Sequence, residues 1–290
     1  AVQALGASVI GITGGEPLLR KDLEETIAAI DDRAISLLFT TGYRLTRSRV
    51  KRLNQAGLEI PVISLDHHRA DIHDRGRNKP GMFDHAVNAI RLFREEGFYT
   101  AISFVPDREL MDDPDELMKT IAFFKALGIN DMRLTSPILS GHLAGRPEVL
   151  LTPKNVRTVF EIQKKCASTP GYPGVFAYDF FESDRYYGCG AGYNYLFIDA
   201  QGNVCPCDFT MLSFGNVHQA PLEVSWDKMN ANFPRPGCRC YANASSAQIA
   251  KMKPAFWPLN TNASEAITQR CPTHDDHRLP EFYRRMGMSF

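Results

Sequence analysis

Cysteine thiols are the side chains of this sequence whose number and spacing most clearly point to chemistry. The chain has seven cysteines, and all but Cys166 fall after residue 188. Two Cys-x-Cys pairs occur among them, Cys205 with Cys207 and Cys238 with Cys240. Residues two apart on an extended strand point the same way yet sit near the upper distance limit for a disulfide, so the pairs favour metal chemistry. The odd count in a long chain without a visible signal peptide also disfavours a disulfide framework, and we predict a metal or iron–sulfur site.

The overall composition argues against several classes of function. Lys and Arg number 33, as do Asp and Glu, so the formal net charge is zero and we expect neither a nucleic-acid partner nor a membrane partner. No stretch approaches 18 consecutive apolar residues, so no transmembrane helix is expected. The 290 residues are 44% hydrophobic, which is enough for one large domain or for a large and a small one. Together with free thiols, these features predict a cytoplasmic location.

The elements that must position this chemistry alternate along the first 170 residues. Short β-branched runs are each followed by an amphipathic helical pattern. The predicted strands are 8–13, 35–41, 61–66, 99–105 and 131–136, and the predicted helices are 20–30, 46–57, 83–96, 113–127 and 152–167. Five such βα units require parallel strands, which form a barrel, a partial barrel or a doubly wound sheet. In each of these folds a ligand binds at the carboxyl ends of the strands.

The first and third strands end in polar residues. Gly14 and Gly15 allow a ligand to approach the backbone, and Glu16 before Pro17 can accept from a ligand ammonium, although an ordinary βα turn is the alternative. Ser64 and Asp66 share one strand face and could hydrogen-bond a ribose or a carboxylate.

Three histidines follow the third strand, at His67, His68 and His73. With Asp66 they suggest a hydrolytic metal site, as in a zinc or manganese hydrolase. Such a site would need further His or Asp ligands on other strand ends, which instead carry Thr, Ser and Pro. We therefore favour a solvated polar loop for the three histidines.

The sequence changes character after Pro170, where the turn cluster 171–174 predicts a domain boundary. We expect domains at 1–170 and 171–290, the second small, cysteine-rich and of α+β type. A hairpin with strand 195–198, turn 199–202 and a return strand at Val204 would bring Cys189 towards Cys207. Four thiolates from separate segments suit a [4Fe–4S] cluster or a structural zinc, because buried thiolates need a neutralising cation. Cys271 with His274 and His277 is a further zinc alternative.

Several segments resemble the radical S-adenosylmethionine (SAM) enzymes. GITGGEPLLRKDL resembles their GGEP motif, LLFTTGYRLT their "TNG" strand end, and ISLDHHRADIHDRGR their segment with S-x-D-G and HD-x-x-RG. Cys189, Gly202 and Cys207 have the C-x12-G-x4-C spacing that opens a SPASM or twitch auxiliary-cluster domain, and VCPCDFTMLSFGNV is similar to the stretch that follows. The resemblance spans roughly residues 8–240 and departs from the family in lacking its Cys-x3-Cys-x2-Cys motif.

The resemblance implies that this chain is truncated before its GGEP motif, or else that it is a degenerate paralogue. One more βα unit would complete a partial (β/α)6 TIM-like barrel of α/β class. The implied SAM-binding residues are Gly14, Gly15, Glu16, Pro17, Thr41, Ser64 and Asp66. The implied ligands of a [4Fe–4S] auxiliary cluster are Cys189, Cys207, Cys238 and Cys240, with Cys205 and Cys271 as alternates. A second [4Fe–4S] cluster, which binds SAM, is expected only in a full-length protein.

The chemistry implied by the resemblance is reductive cleavage of SAM to methionine and a 5′-deoxyadenosyl radical, which abstracts hydrogen from a substrate. The implied partners are a peptide, protein or small-molecule substrate and an electron donor such as flavodoxin or ferredoxin. No catalytic acid or base can be named. A zinc-stabilised, non-redox binding scaffold and a hydrolase that uses Asp66, His67 and His68 are the rival hypotheses.

Overall fold

The computed structural model describes residues 1–252, 257–271 and 278–288. The chain divides into two compact units, one of residues 1–136 and 151–177 and the other of residues 137–150 and 178–290. The first unit extends past residue 170, and the division into domains at 1–170 and 171–290 stays a prediction. His274 and His277, invoked for a zinc site, lie outside the described residues.

The first unit is built on a parallel sheet whose strands follow one another in sequence order. The strands are β1 (Val9–Ile12), β2 (Ile35–Thr40), β3 (Ile60–Ser64), β4 (Ala101–Phe104), β5 (Asp131–Leu134) and β6 (Gly174–Ala177). A doubly wound sheet reverses its strand order at a switch point, whereas sequential order is typical of a barrel. The α/β class and the partial-barrel arrangement are therefore confirmed, and the doubly wound alternative is not.

Strand β6 is the one element of the sheet that the sequence did not predict. It begins at Gly174, within the stretch interpreted as a turn cluster, and it pairs in parallel with β5 from Gly174 to Ala177. The five predicted strands are all present, each within a few residues of its expected bounds.

The helices of the first unit include three that begin at the predicted capping residues Thr46, Asp113 and Thr152. The helices are α1 (Leu23–Ala28), α2 (Arg47–Gln55), α3 (Ala70–Gly76), α4 (Met82–Glu95), α5 (Arg108–Asp112), α6 (Pro114–Ala126) and α7 (Pro153–Ser168). The Thr46 hydroxyl accepts from the Arg49 amide at the start of α2, and Asp113 accepts from two amides at the start of α6. Thr152 and Asn155 form a reciprocal capping box before α7. The short helices α3 and α5 were not predicted.

The two faces of the sheet differ in burial. Ile63, Ile102 and Met132 on one face are fully buried, as expected beneath a layer of helices. On the other face Phe39 is only partly buried against Val62, and the Arg133 guanidinium carbon lies 5.9 Å from the Phe39 ring centre. We call this the concave face, because side chains of β2 and β5 meet across it although three strand spacings of about 4.8 Å separate those strands.

The described part of the second unit contains the predicted hairpin and five helices. β7 (Phe197–Ile198) pairs antiparallel with β8 (Val204–Cys205), and Asp199 Oδ1 accepts from the amides of Gln201 and Asn203 in the turn between them. The helices are α8 (Tyr178–Phe181), α9 (Leu222–Asn232), α10 (Tyr241–Met252), α11 (Thr261–Arg270) and α12 (Glu281–Arg285). The expected α+β character of this region is confirmed. None of the helices described in either unit is long and apolar enough to cross a bilayer.

Candidate functional site

The turn after β1 holds Glu16 in a defined position at the end of β2. Glu16 Oε1 accepts from the Thr40 hydroxyl at 2.6 Å and from the Leu18 amide at 3.1 Å. Glu16 Oε2 accepts from the Thr41 amide at 2.8 Å and from the Thr41 hydroxyl. A carboxylate offers about four lone-pair sites, so these donors match its full capacity. The structure therefore brings Glu16 and Thr41, two of the predicted SAM-binding residues, into direct contact.

The two glycines before Glu16 leave their backbone open to a ligand. Gly14 has φ +128°, a conformation that favours glycine, and a Cβ on Gly14 or Gly15 would meet no atom within 4 Å. Pro17 is buried at the start of a single 3₁₀ turn that follows. Open backbone beside a fixed carboxylate fits the amine and carboxylate of an amino-acid ligand such as SAM.

Asp66 has partners of its own in the structure. Its Oδ2 accepts from Arg77 Nε at 2.8 Å and lies 2.6 Å from Arg77 Nη2, while its Oδ1 accepts from the Val105 amide at 3.2 Å. These bonds fix the loop after β3 against the end of β4. Ser64, by contrast, ends β3 on the concave face, where its register partner on β4 is Ser103.

The histidines after β3 are not a solvated loop. His67 is only 4% exposed and His73 only 2%, so the prediction is wrong for both of them. His67, His68 and Glu116 of α6 bring one ligand atom each within 4.8 Å of one another. Glu116 was missed because nothing in the sequence links the start of α6 to the end of β3.

Hydrogen-bond partners assign the protons in this group. His67 Nδ1 accepts from the Arg69 amide at 3.0 Å, which leaves the proton of the neutral ring on Nε2, the atom that faces Glu116. Burial, more than any other cause, lowers the pKa of His67 and favours that neutral form. Thr120 donates to the Glu116 carbonyl, so its hydroxyl accepts from His68 Nδ1 at 2.9 Å. Of the two histidine rings, only that of His68 then presents a free lone pair beside the Glu116 carboxylate, which leaves fewer ligands than the hydrolase hypothesis needs.

Backbone hydrogen bonds gather three cysteine-bearing segments in the second unit. Cys189 and Gly237 exchange two of them, with N–O distances of 2.7 and 2.9 Å, which places the segment that carries Cys240 beside Cys189. The Gly192 amide donates to the Pro206 carbonyl at 3.0 Å, which brings in the turn at Cys207.

The thiols of Cys189, Cys207 and Cys240 share one electrostatic environment. Burial raises the pKa of all three, that of Cys240 to about 12, and neighbouring thiols of the set add to the rise at Cys207 and Cys240. Cys207 also faces the Asp208 carboxylate, and its sulfur accepts from the Phe209 amide at 3.4 Å. Cys189 is buried and Cys207 and Cys240 are partly buried, and three such thiols with acidic neighbours can ionise together only around a cation, which is the requirement of a metal or iron–sulfur ligand set.

The two cysteines of each Cys-x-Cys pair lie in different surroundings. Cys205 ends β8 and its sulfur donates to the Asn203 carbonyl at 3.8 Å, whereas Cys207 lies in the turn beyond. Cys238 donates to the Arg278 carbonyl at 3.5 Å, and Cys240 immediately precedes α10. Neither pair is on one extended strand, so the expectation that both thiols point the same way fails. Cys271 ends α11 and was an alternate ligand; burial raises its pKa.

The spacing of the cysteine sulfurs can be compared with the spacing that one zinc ion requires. A zinc ion with thiolates at about 2.3 Å in a tetrahedron holds their sulfurs about 3.8 Å apart. Within the described ranges no three cysteine sulfurs lie within 4.8 Å of one another. The described thiols therefore do not stand at the spacing that a single zinc ion sets.

Sequence reasoning missed the acidic and aromatic residues around these thiols. Glu182 and Asp208 lie close enough to influence the thiol pKa values, and Tyr195 donates to Asp208 at 3.4 Å. Removal from bulk solvent, reinforced by Asp208, raises the pKa of Glu182 to about 7. The only available signal was the adjacency of Asp208 to Cys207.

Comparison with known proteins gives matches in both parts of the chain. Residues 1–131 match the Radical SAM superfamily, and residues 189–245 match SPASM, an iron–sulfur cluster-binding domain. Among characterised proteins, the AdoMet-dependent heme synthase of Methanosarcina barkeri is 25% identical over 249 residues, covering 78% of this chain and 70% of its own. The PqqA peptide cyclase of Ruegeria pomeroyi is 27% identical over 304 residues, covering 93% and 76%.

Solved structures share the fold at lower identity. Streptococcus suis SuiB bound to S-adenosylmethionine has a TM-score of 0.58 at 17% identity, over 75% of this chain and 54% of SuiB. The structure of anSMEcpe with bound AdoMet and the Cp18Cys peptide has a TM-score of 0.60 at 17% identity, over 78% and 69%. This chain thus spans about half the length of SuiB.

The two family matches fall where the structure has the Glu16 turn and the three gathered thiols, and the resemblance drawn from the motifs is confirmed. The two matches imply SAM and [4Fe–4S] clusters as the cofactors of these domains. We conclude that the chain carries a radical SAM domain over residues 1–131 and an iron–sulfur cluster-binding SPASM domain over residues 189–245.

Proposed function

We propose that this chain binds SAM at the carboxyl ends of its strands and an auxiliary cluster in its second unit, as part of an enzyme that abstracts hydrogen from a substrate. The observation that carries the proposal is the Glu16 carboxylate, fixed by Thr40 and Thr41 beside the open backbone of Gly14 and Gly15. When bound, SAM and a reduced cluster supply a 5′-deoxyadenosyl radical. The protein's own contribution is to orient the ligand and exclude water.

Each predicted SAM-binding residue then has a definite role. Glu16 accepts from the ligand amine, for which the Thr41 hydroxyl rotates away, while the Thr41 amide keeps the carboxylate in place. Pro17 fixes the turn, and Ser64 offers its hydroxyl from the end of β3. Asp66 acts through the loop it anchors with Arg77 and the Val105 amide, so its contribution is positioning.

For the auxiliary cluster we propose Cys189, Cys207 and Cys240 as three ligands, because their environments are shared. Cys238 was the fourth predicted ligand and stays so in the proposal, with Cys205 and Cys271 as alternates. Binding a cationic cluster would remove the repulsion among the three thiolates, so cluster binding is expected to stabilise the second unit.

We further propose that the substrate is a peptide and that flavodoxin or ferredoxin supplies the electron. The support is in the relatives: two are named peptide cyclases, and SuiB and anSMEcpe have structures with a bound peptide. A small metabolite is the alternative, in line with the heme synthases.

Metal analysis of the purified chain tests the auxiliary site. After anaerobic reconstitution we expect about four iron atoms and matching sulfide per chain. Cys189→Ala, Cys207→Ala and Cys240→Ala should each lower that content sharply. Cys166→Ala in α7 is the matched control, since Cys166 is a buried thiol of the first unit. About one zinc and no sulfide would refute the proposed cluster.

Equilibrium dialysis with labelled SAM tests the first site independently. Glu16→Gln is expected to lower SAM affinity about tenfold or more, because it removes a charged acceptor for the ligand ammonium. Glu25→Gln is the control, since Glu25 is an exposed acid on α1. Equal affinity for SAM in the wild type and Glu16→Gln would contradict the assignment.

A further inference from the structure

The concave face carries a row of three polar residues, two of which neither the motifs nor the family matches assign. Ser64 on β3 is the register partner of Ser103 on β4, which is in turn the partner of Arg133 on β5. Register partners in a parallel sheet share a face and lie about 4.8 Å apart, so these three side chains are neighbours. We call them the Ser–Ser–Arg row.

An apolar layer lies directly beneath this row. Phe39, Val62 and Ala101 are register partners one step back along β2, β3 and β4. Val62 and Ala101 are fully buried, and Phe39 packs against them. The row therefore lies between this apolar layer and the carboxyl ends of the strands, where this fold binds its ligands.

Arg133 has more donors than partners. A guanidinium has five N–H groups, and its shortest approach to an acid is from Nε to Asp131 Oδ1, at 3.6 Å. Within the described residues no hydrogen bond satisfies its Nη atoms, although the side chain is only 14% exposed. Asp131 and the Phe39 ring support the guanidinium from two sides and leave the Nη edge to accept a ligand.

The charge of this site selects the ligand. One guanidinium already shared with Asp131 suits a monoanion better than a doubly charged phosphate, and its planar fork matches a carboxylate. The hydroxyl of Ser103 extends the donor set along the row towards Ser64, the residue proposed above to bind SAM. The apolar layer beneath suits a hydrocarbon stem.

We propose that Arg133 and Ser103 of the Ser–Ser–Arg row bind a carboxylate group of the substrate. This rests on the proposed function, because it places the substrate near the carboxyl ends of the strands, where the Glu16 turn also lies. The carboxylate of SAM itself is the other possible source of this chemistry, and the experiment below separates the two.

Trifluoroacetate followed by ¹⁹F NMR is the probe for the site. The wild-type chain should show saturable binding that acetate displaces. Arg133→Gln should weaken binding about tenfold or more, and Arg133→Lys should weaken it less, because a charge remains without the planar fork. Arg33→Gln is the control and should bind like the wild type, since Arg33 is exposed and paired with Asp31.

A second variant covers the case in which Arg133→Gln fails to fold. Asp131→Asn removes the competing carboxylate and keeps Arg133, so it should tighten trifluoroacetate binding several-fold. Equal binding by the wild type and a folded Arg133→Gln chain would overturn the proposal, as would weaker binding by Asp131→Asn.

Displacement experiments decide the source of the carboxylate. If SAM binds without displacing trifluoroacetate, the site is left to the substrate, as proposed. If SAM displaces the probe and decarboxylated SAM does not, the site holds SAM's own carboxylate and the substrate assignment is wrong. A chain that binds trifluoroacetate at Arg133 but not SAM supports the carboxylate site and counts against the proposed function, so the two can fail separately.

Discussion

Gly42 joins the end of β2 to the helical layer, and replacing it by alanine tests how closely the two are packed. Gly42 has φ +74°, and a Cβ there would lie 2.5 Å from the Ala89 Cβ and 2.8 Å from the His85 carbonyl oxygen, both on α4. The backbone of α4 cannot yield as a flexible side chain would. Gly42→Ala must therefore displace the helix or the strand end that carries Thr41.

The expected loss has two parts. A left-handed conformation costs a non-glycine residue about 1–2 kcal/mol, and overpacking typically costs a further ~1–3 kcal/mol. Gly42→Ala should thus lower the free energy of unfolding of the first unit by about 2–5 kcal/mol. Gly57→Ala is the matched control, because Gly57 has φ +91° but a Cβ there would meet no atom within 4 Å. It should lose only the conformational part.

Urea unfolding, followed by far-UV circular dichroism, measures the free energy of unfolding of both variants in the same way. The difference between their losses isolates the contact with α4. Equal losses would refute the close packing of Gly42 against Ala89 and His85. Because the Thr41 amide holds Glu16, a folded Gly42→Ala chain should also bind SAM more weakly than Gly57→Ala.

Three further predictions follow from single contacts. The amides of Phe83 and Gly81 donate to Asp74 and lower its pKa, so Asp74→Asn should lower the urea midpoint of the protein at pH 7. The difference from the wild type should shrink as the pH falls below about 4, where the wild-type carboxylate also loses its charge. A difference in midpoint that does not change with pH would contradict this. Burial is the main cause that raises the pKa of Asp131, so the charged form of this residue lowers the stability of the folded protein. Asp131→Asn should therefore raise the urea midpoint at pH 7, and this increase should disappear below about pH 4. Cys205→Ala should leave the iron and sulfide content unchanged, since no neighbouring thiol contributes to the pKa of Cys205, unlike those of Cys207 and Cys240; loss of iron would make Cys205 a ligand.

Periodicity and capping residues predicted most of the first unit. The five β-branched runs that were predicted to be strands all form strands. The helices that were predicted to start at Thr46, Asp113 and Thr152 also form. Strand β6 was not predicted because the sequence Gly-Tyr-Pro-Gly, whose last residue begins the strand, is typical of a turn. Pairing with β5 overrides that local preference.

The sequence alone could not predict which residues the tertiary structure brings into contact. Glu16 and Thr41 were each predicted at a strand end, but the bonds between them depend on the pairing of β1 with β2. The Ser–Ser–Arg row exists only in the register of three strands. The Cys-x-Cys pairs misled for a local reason: Cys207 lies in a turn and Cys240 precedes a helix, so the alternation of an extended strand does not apply.

The bonds of Glu16 have a consequence for how tightly the first site can hold a ligand. A carboxylate that already accepts from Thr40, from Thr41 and from the Leu18 amide has no rotamers left to lose when a ligand arrives. Ordering a rotamer-rich side chain on binding typically costs about 0.5–1.5 kcal/mol, and here that cost is met during folding. Binding exchanges one hydroxyl donor for a charged one, so the affinity gained from the ammonium is not diluted by conformational entropy. The turn is pre-organised, and its strength as a binding site is set by the folding of β1 and β2.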